Sequence, residues 1–101
     1  RLLTAPSAFT VPTGKAHWES LLRARAIENG AFVLAPAQAG THHGGRQTYG
    51  HSLAVDPWGQ VIAEGDALTP GPVYATLDLE AVDRARQAIP SLKHDRPYQA
   101  V

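Results

Sequence analysis

Two residue types are absent from this sequence, cysteine and methionine. Without cysteine, these residues cannot form a disulfide, a thiolate metal site or a cysteine nucleophile. Without methionine there is no translational start, and the sequence opens with Arg1 and an apolar stretch that reads as a strand already under way. We therefore expect the 101 residues to be a fragment whose N-terminal part is missing.

Net charge and long hydrophobic runs are also lacking. Nine Lys and Arg residues balance nine Asp and Glu residues, so no net positive charge attracts phosphate backbones or anionic lipid. No apolar stretch approaches the roughly 18–20 residues that span a bilayer, and the N-terminus lacks the ordered regions of a signal peptide. The sequence predicts a cytoplasmic protein with neither nucleic-acid nor membrane partners.

The first third of the chain predicts a strand, a helix and a second strand. Residues 2–5 are apolar and precede a proline, which is typical of a short buried strand. A broad apolar face predicts a helix over residues 15–29, with Thr10 or Thr13 as its N-cap and a glycine just past its end. The run over residues 31–35 is apolar without alternation, which indicates a strand covered on both faces.

The remaining patterns predict four further elements. In chain order they are a loop over 38–50, a β-hairpin of 52–55 and 60–63, a strand over 72–77 that is half-buried or near the sheet edge, and a helix from Asp78 to Pro90. Residues 91–101 have no clear period and predict an extended tail. The whole of residues 1–101 is interpreted as part of a single domain.

This order of elements predicts an α/β layered architecture without internal repeats. Two helices cover only one face of about five strands, whereas the strand at 31–35 needs cover on both faces. We therefore expect a second sheet on the other face, supplied by residues outside this sequence.

Three histidines are the candidate metal ligands. His42, His43 and His51 lie close in sequence, and imidazole binds zinc, nickel and copper. Their spacing matches neither a helical His-x-x-x-His pair nor a paired-ligand finger, so polar loop residues are the favoured interpretation and no metal is predicted. His17, beside Trp18, is interpreted as a packed, hydrogen-bonded histidine rather than a general base.

The serine and glycine patterns indicate neither a nucleophile nor a phosphate site. Neither Ser7 nor Ser52 lies in a Gly-x-Ser-x-Gly elbow, and His51 would point to the opposite face of a strand from Ser52. The loop glycines do not open a helix after a strand, as a phosphate-binding loop would. Glu28 is interpreted as the surface partner of Arg25. The residues by themselves contain no complete active site.

Five short motifs nevertheless occur together. They are Pro6-Ser7-Ala8-Phe9-Thr10, Thr13-Gly14-x-Ala16-His17-Trp18, Arg23-Ala24-Arg25-Ala26-Ile27-Glu28-Asn29, Tyr49-Gly50-His51-Ser52 and Asp56-Pro57-Trp58-Gly59. In this order they resemble the C-terminal half of the nitrilase superfamily of carbon–nitrogen hydrolases, over nearly the whole chain. Within the superfamily, three features are most similar to the branch of deaminated glutathione amidases and omega-amidases: the His42-His43 loop, the Asp56-Pro57-Trp58-Gly59 turn and the closing residues from Ile89-Pro90-Ser91-Leu92 to Arg96-Pro97. The resemblance implies an α/β fold that is the C-terminal half of a four-layer α-β-β-α sandwich, which includes a second sheet.

The resemblance also implies a chemistry. Members of this family hydrolyse a non-peptide amide or nitrile through a cysteine thioester, with a glutamate base and a lysine that stabilises the oxyanion, and need no cofactor. None of these catalytic residues matches a position of this sequence, so they are expected upstream of Arg1. The expected substrate is a small amide, of the deaminated glutathione or omega-amide type.

The residues carried over from the family belong to the pocket wall and to subunit contacts. The expected substrate-binding residues are Ser7, Ala8, Phe9, Thr10, Ala37 and Gln38. Helix 15–29 and the tail are expected to form a homodimer. Two alternatives stay open: a structural or dimerisation module without activity of its own, and a small metal-binding protein that uses His42, His43 and His51.

Overall fold

A computed structural model describes all 101 residues, which form a four-stranded sheet, a two-stranded sheet and two helices. The strands are β1 (Leu2–Thr4), β2 (Phe32–Ala35), β3 (Ala39–Thr41), β4 (Gln47–Tyr49), β5 (Leu53–Val55) and β6 (Val61–Glu64), and the helices are α1 (11–29) and α2 (Glu80–Ala88). The large sheet has the order β1-β2-β5-β6, with β1 parallel to β2 and the other neighbours antiparallel. The predicted α/β class is confirmed.

Helix α1 begins at residue 11 rather than at 15, because Thr10 caps it. The extended Thr10 accepts a hydrogen bond from the Thr13 backbone N–H through its side chain. The helix is α-helical over Val11–Thr13, π-helical over Gly14–Trp18 and α-helical over Glu19–Asn29. Gly30 ends it in the left-handed conformation, with a φ of 53°, as the sequence predicts.

The hydrophobic core lies between α1 and one face of the large sheet. Its buried side chains are Trp18, Leu22, Ala26, Val33, Ala35, Leu53 and Val55. Alternate residues of β2 and β5 point towards α1, as the two-residue period of a strand requires. On the outer side of α1 the predicted pairing of Glu28 with Arg25 is confirmed at 3.1 Å, and Arg23 forms a second ion pair with Glu19 at 3.7 Å.

The predicted hairpin is confirmed as β5 and β6. One carboxylate oxygen of Asp56 accepts hydrogen bonds from the backbone N–H groups of Trp58 and Gln60, both at 2.9 Å. Gly59 has a φ of 88°, and its carbonyl oxygen accepts a hydrogen bond of 2.7 Å from Nε of Arg23. This turn therefore packs against α1 and fixes the helix along the sheet.

The prediction of a loop over residues 38–50 is wrong. Strands β3 and β4 pair in this segment, and a short 3₁₀ turn at His43–Gly45 joins them. These strands are only three residues long and rich in glycine and polar residues, so their sequence carries no hydrophobic alternation. Their pairing depends on the neighbouring segment, since Thr10 bridges to Thr48.

The predicted strand over 72–77 is also wrong for this chain. No strand pairs with this segment, and alternation alone does not form a strand without a hydrogen-bonding partner. Helix α2 follows, and the Asp78 side chain accepts a hydrogen bond from the Glu80 backbone N–H. The helix ends at Ala88, before Pro90. Beyond it Ser91–Lys93 form a 3₁₀ turn, and the residues after the turn are exposed and irregular.

The chain is a thin slab that leaves apolar surface uncovered. Its extents are 51 × 40 × 17 Å, and its radius of gyration is 16.0 Å against about 13 Å for a compact domain of this length. The accessible surface is 7046 Å², whereas a compact monomer of this mass exposes about 5,500 Å².

The prediction that the first strand is buried is wrong, because β1 is an edge strand with a single neighbour. Leu2 and Leu3 are 45% and 40% exposed. The strand predicted at 31–35 is buried as expected, with Phe32 and Val33 almost fully covered. Neither helix of the chain has the length and apolarity that a bilayer span requires.

Candidate functional site

The site is built where the two parallel strands of the large sheet end side by side. Beyond β1 and β2 the chain stays paired, because the Ser7 backbone N–H donates to the Pro36 carbonyl oxygen at 3.0 Å. The Gln38 backbone N–H in turn donates to the Ser7 carbonyl oxygen, also at 3.0 Å. The carboxyl ends of parallel strands are the usual place for a ligand site in α/β folds.

A wide concavity of about 1380 Å³ opens at this edge. Four of the six residues expected to bind substrate line it, namely Ser7, Ala8, Ala37 and Gln38. Ala8 and Gln38 are exposed, whereas Ser7 and Ala37 are half-buried. The lining also includes Glu64 to Asp66 and the irregular segment 69–74.

The other two expected residues, Phe9 and Thr10, lie outside this lining and contact α1. The Phe9 ring packs on the Trp18 indole with 4.9 Å between the ring centroids and a tilt of 59°. Thr10 is the N-cap of α1 and bridges to Thr48 in β4. Both residues therefore join the loop after β1 to the helix and to the small sheet.

The turn at 49–51 is hydrogen-bonded both to α1 and to the segment that follows β2. The Trp18 indole N–H donates to the His51 carbonyl oxygen at 2.8 Å, and the Gly50 backbone N–H donates to the Gln38 carbonyl oxygen at 3.0 Å. His51 has a φ of 58°, a strained conformation for a residue with a side chain. Its ring stacks on Tyr49 with 4.0 Å between the centroids. These contacts hold the strained turn in place.

Ser52 also lines the concavity, although the sequence pattern raised it only as a nucleophile. Its Oγ accepts a hydrogen bond of 2.9 Å from the Ala37 backbone N–H and lies 3.4 Å from the Ala37 carbonyl oxygen. No local sequence signal connects residues 37 and 52, because their contact depends on the pairing of β2 with β5.

The histidines of the candidate metal site do not converge. Nε2 of His42 lies 2.6 Å from the Thr48 hydroxyl, and Nδ1 of His51 lies 2.6 Å from the Tyr49 carbonyl oxygen. His43 is exposed. No group of three or more His, Cys, Asp or Glu side chains is arranged to hold a metal ion. The interpretation of His17 as a packed residue is wrong, since it lies exposed on the outer side of α1.

One carboxylate of the concavity is held by the backbone. The N–H groups of Leu68 and Thr69 donate to Asp66, and these hydrogen bonds keep the pKa of Asp66 below its ordinary value. The carboxylate thus favours its charged form and orders the start of the segment 69–74, which also lines the concavity.

The concavity lies on an α/β layer whose helix covers one face of a mixed sheet, the class of fold that the motifs imply. The sequence pattern of the carbon-nitrogen hydrolase family matches residues 2–87. A probable hydrolase nit2 of Schizosaccharomyces pombe is 51% identical over 99% of this chain, and a deaminated glutathione amidase of Mus musculus is 52% identical over 95%.

The crystal structure of the Caenorhabditis elegans NitFhit protein is also similar, with a TM-score of 0.87 and 53% identity over 94% of this chain. The chain spans only part of each relative: 37% of the S. pombe protein, 29% of the mouse protein and 23% of the chain in the crystal structure. The chain belongs to the carbon-nitrogen hydrolase family and has a nitrilase-like α/β fold.

Proposed function

We propose that the chain is part of an amidase that hydrolyses the non-peptide C–N bond of a small amide, of the deaminated glutathione or omega-amide type. The observation that carries the proposal is the family match over residues 2–87, which includes both strand ends that line the concavity. The 52% identity to a relative named deaminated glutathione amidase supports this substrate type. The proposed compartment is the cytoplasm. Fractionation of cells that express the protein tests this location.

In this proposal the reacting groups and the binding wall come from different parts of the protein. A cysteine upstream of Arg1 attacks the amide carbonyl, ammonia leaves, and water hydrolyses the thioester, with a glutamate as base and a lysine at the oxyanion. The present residues supply one wall of the substrate site, formed by Ser7, Ala8, Ala37 and Gln38. No cofactor takes part.

Assays of ammonia release test whether the reacting groups lie outside residues 1–101. The native enzyme is expected to release ammonia from deaminated glutathione or from α-ketoglutaramate, whereas residues 1–101 alone are expected to release none. Turnover by residues 1–101 alone would place the reacting groups inside this sequence and overturn the assignment. Absence of turnover by the native enzyme on either amide would refute the proposed substrate type.

A substitution at Gln38 tests whether this wall contacts the substrate. It is exposed in the concavity and presents an amide group that can donate and accept hydrogen bonds. In the native enzyme Gln38→Ala is expected to raise KM by about 3- to 10-fold, the effect of one lost hydrogen bond. Gln60→Ala is the matched control, because Gln60 is also exposed but lies in the hairpin turn outside the concavity. Equal KM values for both variants would remove Gln38 from the site.

A non-catalytic module for assembly is the second candidate, and the slab shape favours it. The apolar surface that the chain leaves exposed would cause association with another polypeptide. Helix α1 and the tail are the proposed contacts of a homodimer. Sedimentation velocity of the native protein tests this: a dimer is expected, and a monomer at micromolar concentration would contradict it. Only a protein that assembles but releases no ammonia from any small amide supports this second candidate over the first.

A further inference from the structure

A serine hydroxyl joins the end of β2 to the beginning of β5 beside the concavity. Ser52 Oγ accepts a hydrogen bond from the Ala37 backbone N–H, and the N···O distance of 2.9 Å is ordinary for such a bond. The second contact of the hydroxyl, to the Ala37 carbonyl oxygen, is 3.4 Å and therefore weak. Ser52 is half-buried and is itself part of the lining.

The other contacts that hold the segment 37–38 are made by backbone atoms. The Gln38 N–H donates to the Ser7 carbonyl oxygen, and the Gly50 N–H donates to the Gln38 carbonyl oxygen. Such bonds survive most substitutions, because they involve no side chain. The Ser52 hydroxyl is the one side-chain partner of the Ala37 N–H, so the residue type at position 52 decides whether this N–H is satisfied.

We propose that Ser52 is a positioning residue of the substrate wall, whose hydroxyl fixes Ala37 and thereby sets where Gln38 meets a bound small amide. The inference rests on the proposed amidase function and assigns a further residue to the same site. Without the hydroxyl the Ala37 N–H needs water as a partner, and segment 37–38 is then held by its backbone hydrogen bonds alone, which fix its position less firmly. The consequence falls on substrate binding rather than on the reacting thiol, so KM changes while kcat does not.

Two nearly isosteric substitutions in the native enzyme test this role. Thr and Val have nearly the same shape: Ser52→Thr keeps the hydroxyl and adds a methyl group, whereas Ser52→Val carries a second methyl group in place of the hydroxyl. Both side chains suit a residue next to a strand. The Val variant is expected to raise KM for the amide by about 3- to 10-fold with unchanged kcat, and the Thr variant to keep the KM of the wild type. Ser20→Ala, on the exposed side of α1, is the control for loss of a serine hydroxyl elsewhere.

Hydrogen exchange at the Ala37 amide gives a second readout that does not depend on turnover. Exchange is expected to be faster in Ser52→Val than in Ser52→Thr, because only the threonine hydroxyl can accept a hydrogen bond from the Ala37 N–H. If the two variants share the same KM and the same exchange rate, Ser52 has no positioning role. If exchange differs while KM is equal, the hydroxyl is structural only, and the inference is also overturned. Absence of turnover by the wild-type enzyme is a failure of the proposed function instead, and the exchange rates then still decide whether the hydroxyl holds Ala37.

Discussion

A methyl group added at Gly14 is expected to destabilise the protein, although Gly14 lies inside a helix where alanine is ordinarily preferred. Gly14 is buried in α1 with a φ of −60°, so its backbone conformation suits any residue. An added Cβ would lie 2.5 Å from Cδ2 of Tyr49 and closer still to its Cγ and Cβ, far inside normal contact distance. Because Tyr49 Cβ is fixed by its backbone, rotation of the ring cannot remove the clash.

Two opposing free energies decide the outcome. Alanine in place of glycine in a helix interior is worth about 1 kcal/mol of stabilisation. Overpacking of a close contact typically costs about 1–3 kcal/mol, and a backbone shift of β4 places the cost at the upper end of that range. We expect Gly14→Ala to lower the free energy of unfolding by about 1–2 kcal/mol, because β4 must move away from α1. The stack of Tyr49 on His51 is expected to loosen with it.

Urea unfolding of the native protein measures the effect, and near-ultraviolet circular dichroism reports on the environment of Tyr49. Gly71→Ala is the control, since an added Cβ there meets no atom within 4 Å and Gly71 has no positive φ. That variant is expected to match the wild type or exceed its stability slightly. A Gly14→Ala variant as stable as Gly71→Ala would refute the argument that close packing between α1 and β4 requires glycine.

Two further predictions concern charged groups. Hydrogen bonds from the Leu68 and Thr69 backbone N–H groups keep the pKa of Asp66 below its ordinary value, so their ordering effect is present above about pH 4 and is lost as pH falls through the lowered pKa. NMR titration of the Asp66 carboxyl group measures this pKa, and an ordinary value would contradict the two hydrogen bonds from the Leu68 and Thr69 N–H groups. Arg86 donates to two carbonyl oxygens at the end of α1, at 3.2 and 3.3 Å, so Arg86→Ala is expected to cost about 1–2 kcal/mol of unfolding free energy. Arg46→Ala is the control, because Arg46 is exposed in the turn before β4, and equal midpoints of urea unfolding for the two variants would show that α2 is not held by this contact.

The sequence by itself determined the elements whose signals are local. The broad apolar face, the glycine after Asn29 and the apolar run that follows predict α1 and β2, because helix periodicity, left-handed capping and uninterrupted burial are all visible within a few residues. The turn after Asp56 was equally predictable, since proline and glycine restrict the backbone locally. The ordered motifs also identified the family.

Only the tertiary structure decided which residues meet at the concavity. Strands β3 and β4 are too short and too polar for a periodic signal, and the segment 72–77 has the alternation of a strand but no neighbour to pair with. The loop after β1 contributes to two places: Ser7 and Ala8 line the concavity, whereas Phe9 and Thr10 pack against α1. This division depends on contacts with residues far away in sequence. Ser52 joins the site for the same reason, because hydrogen bonds between residues 15 apart form only once β2 and β5 are paired.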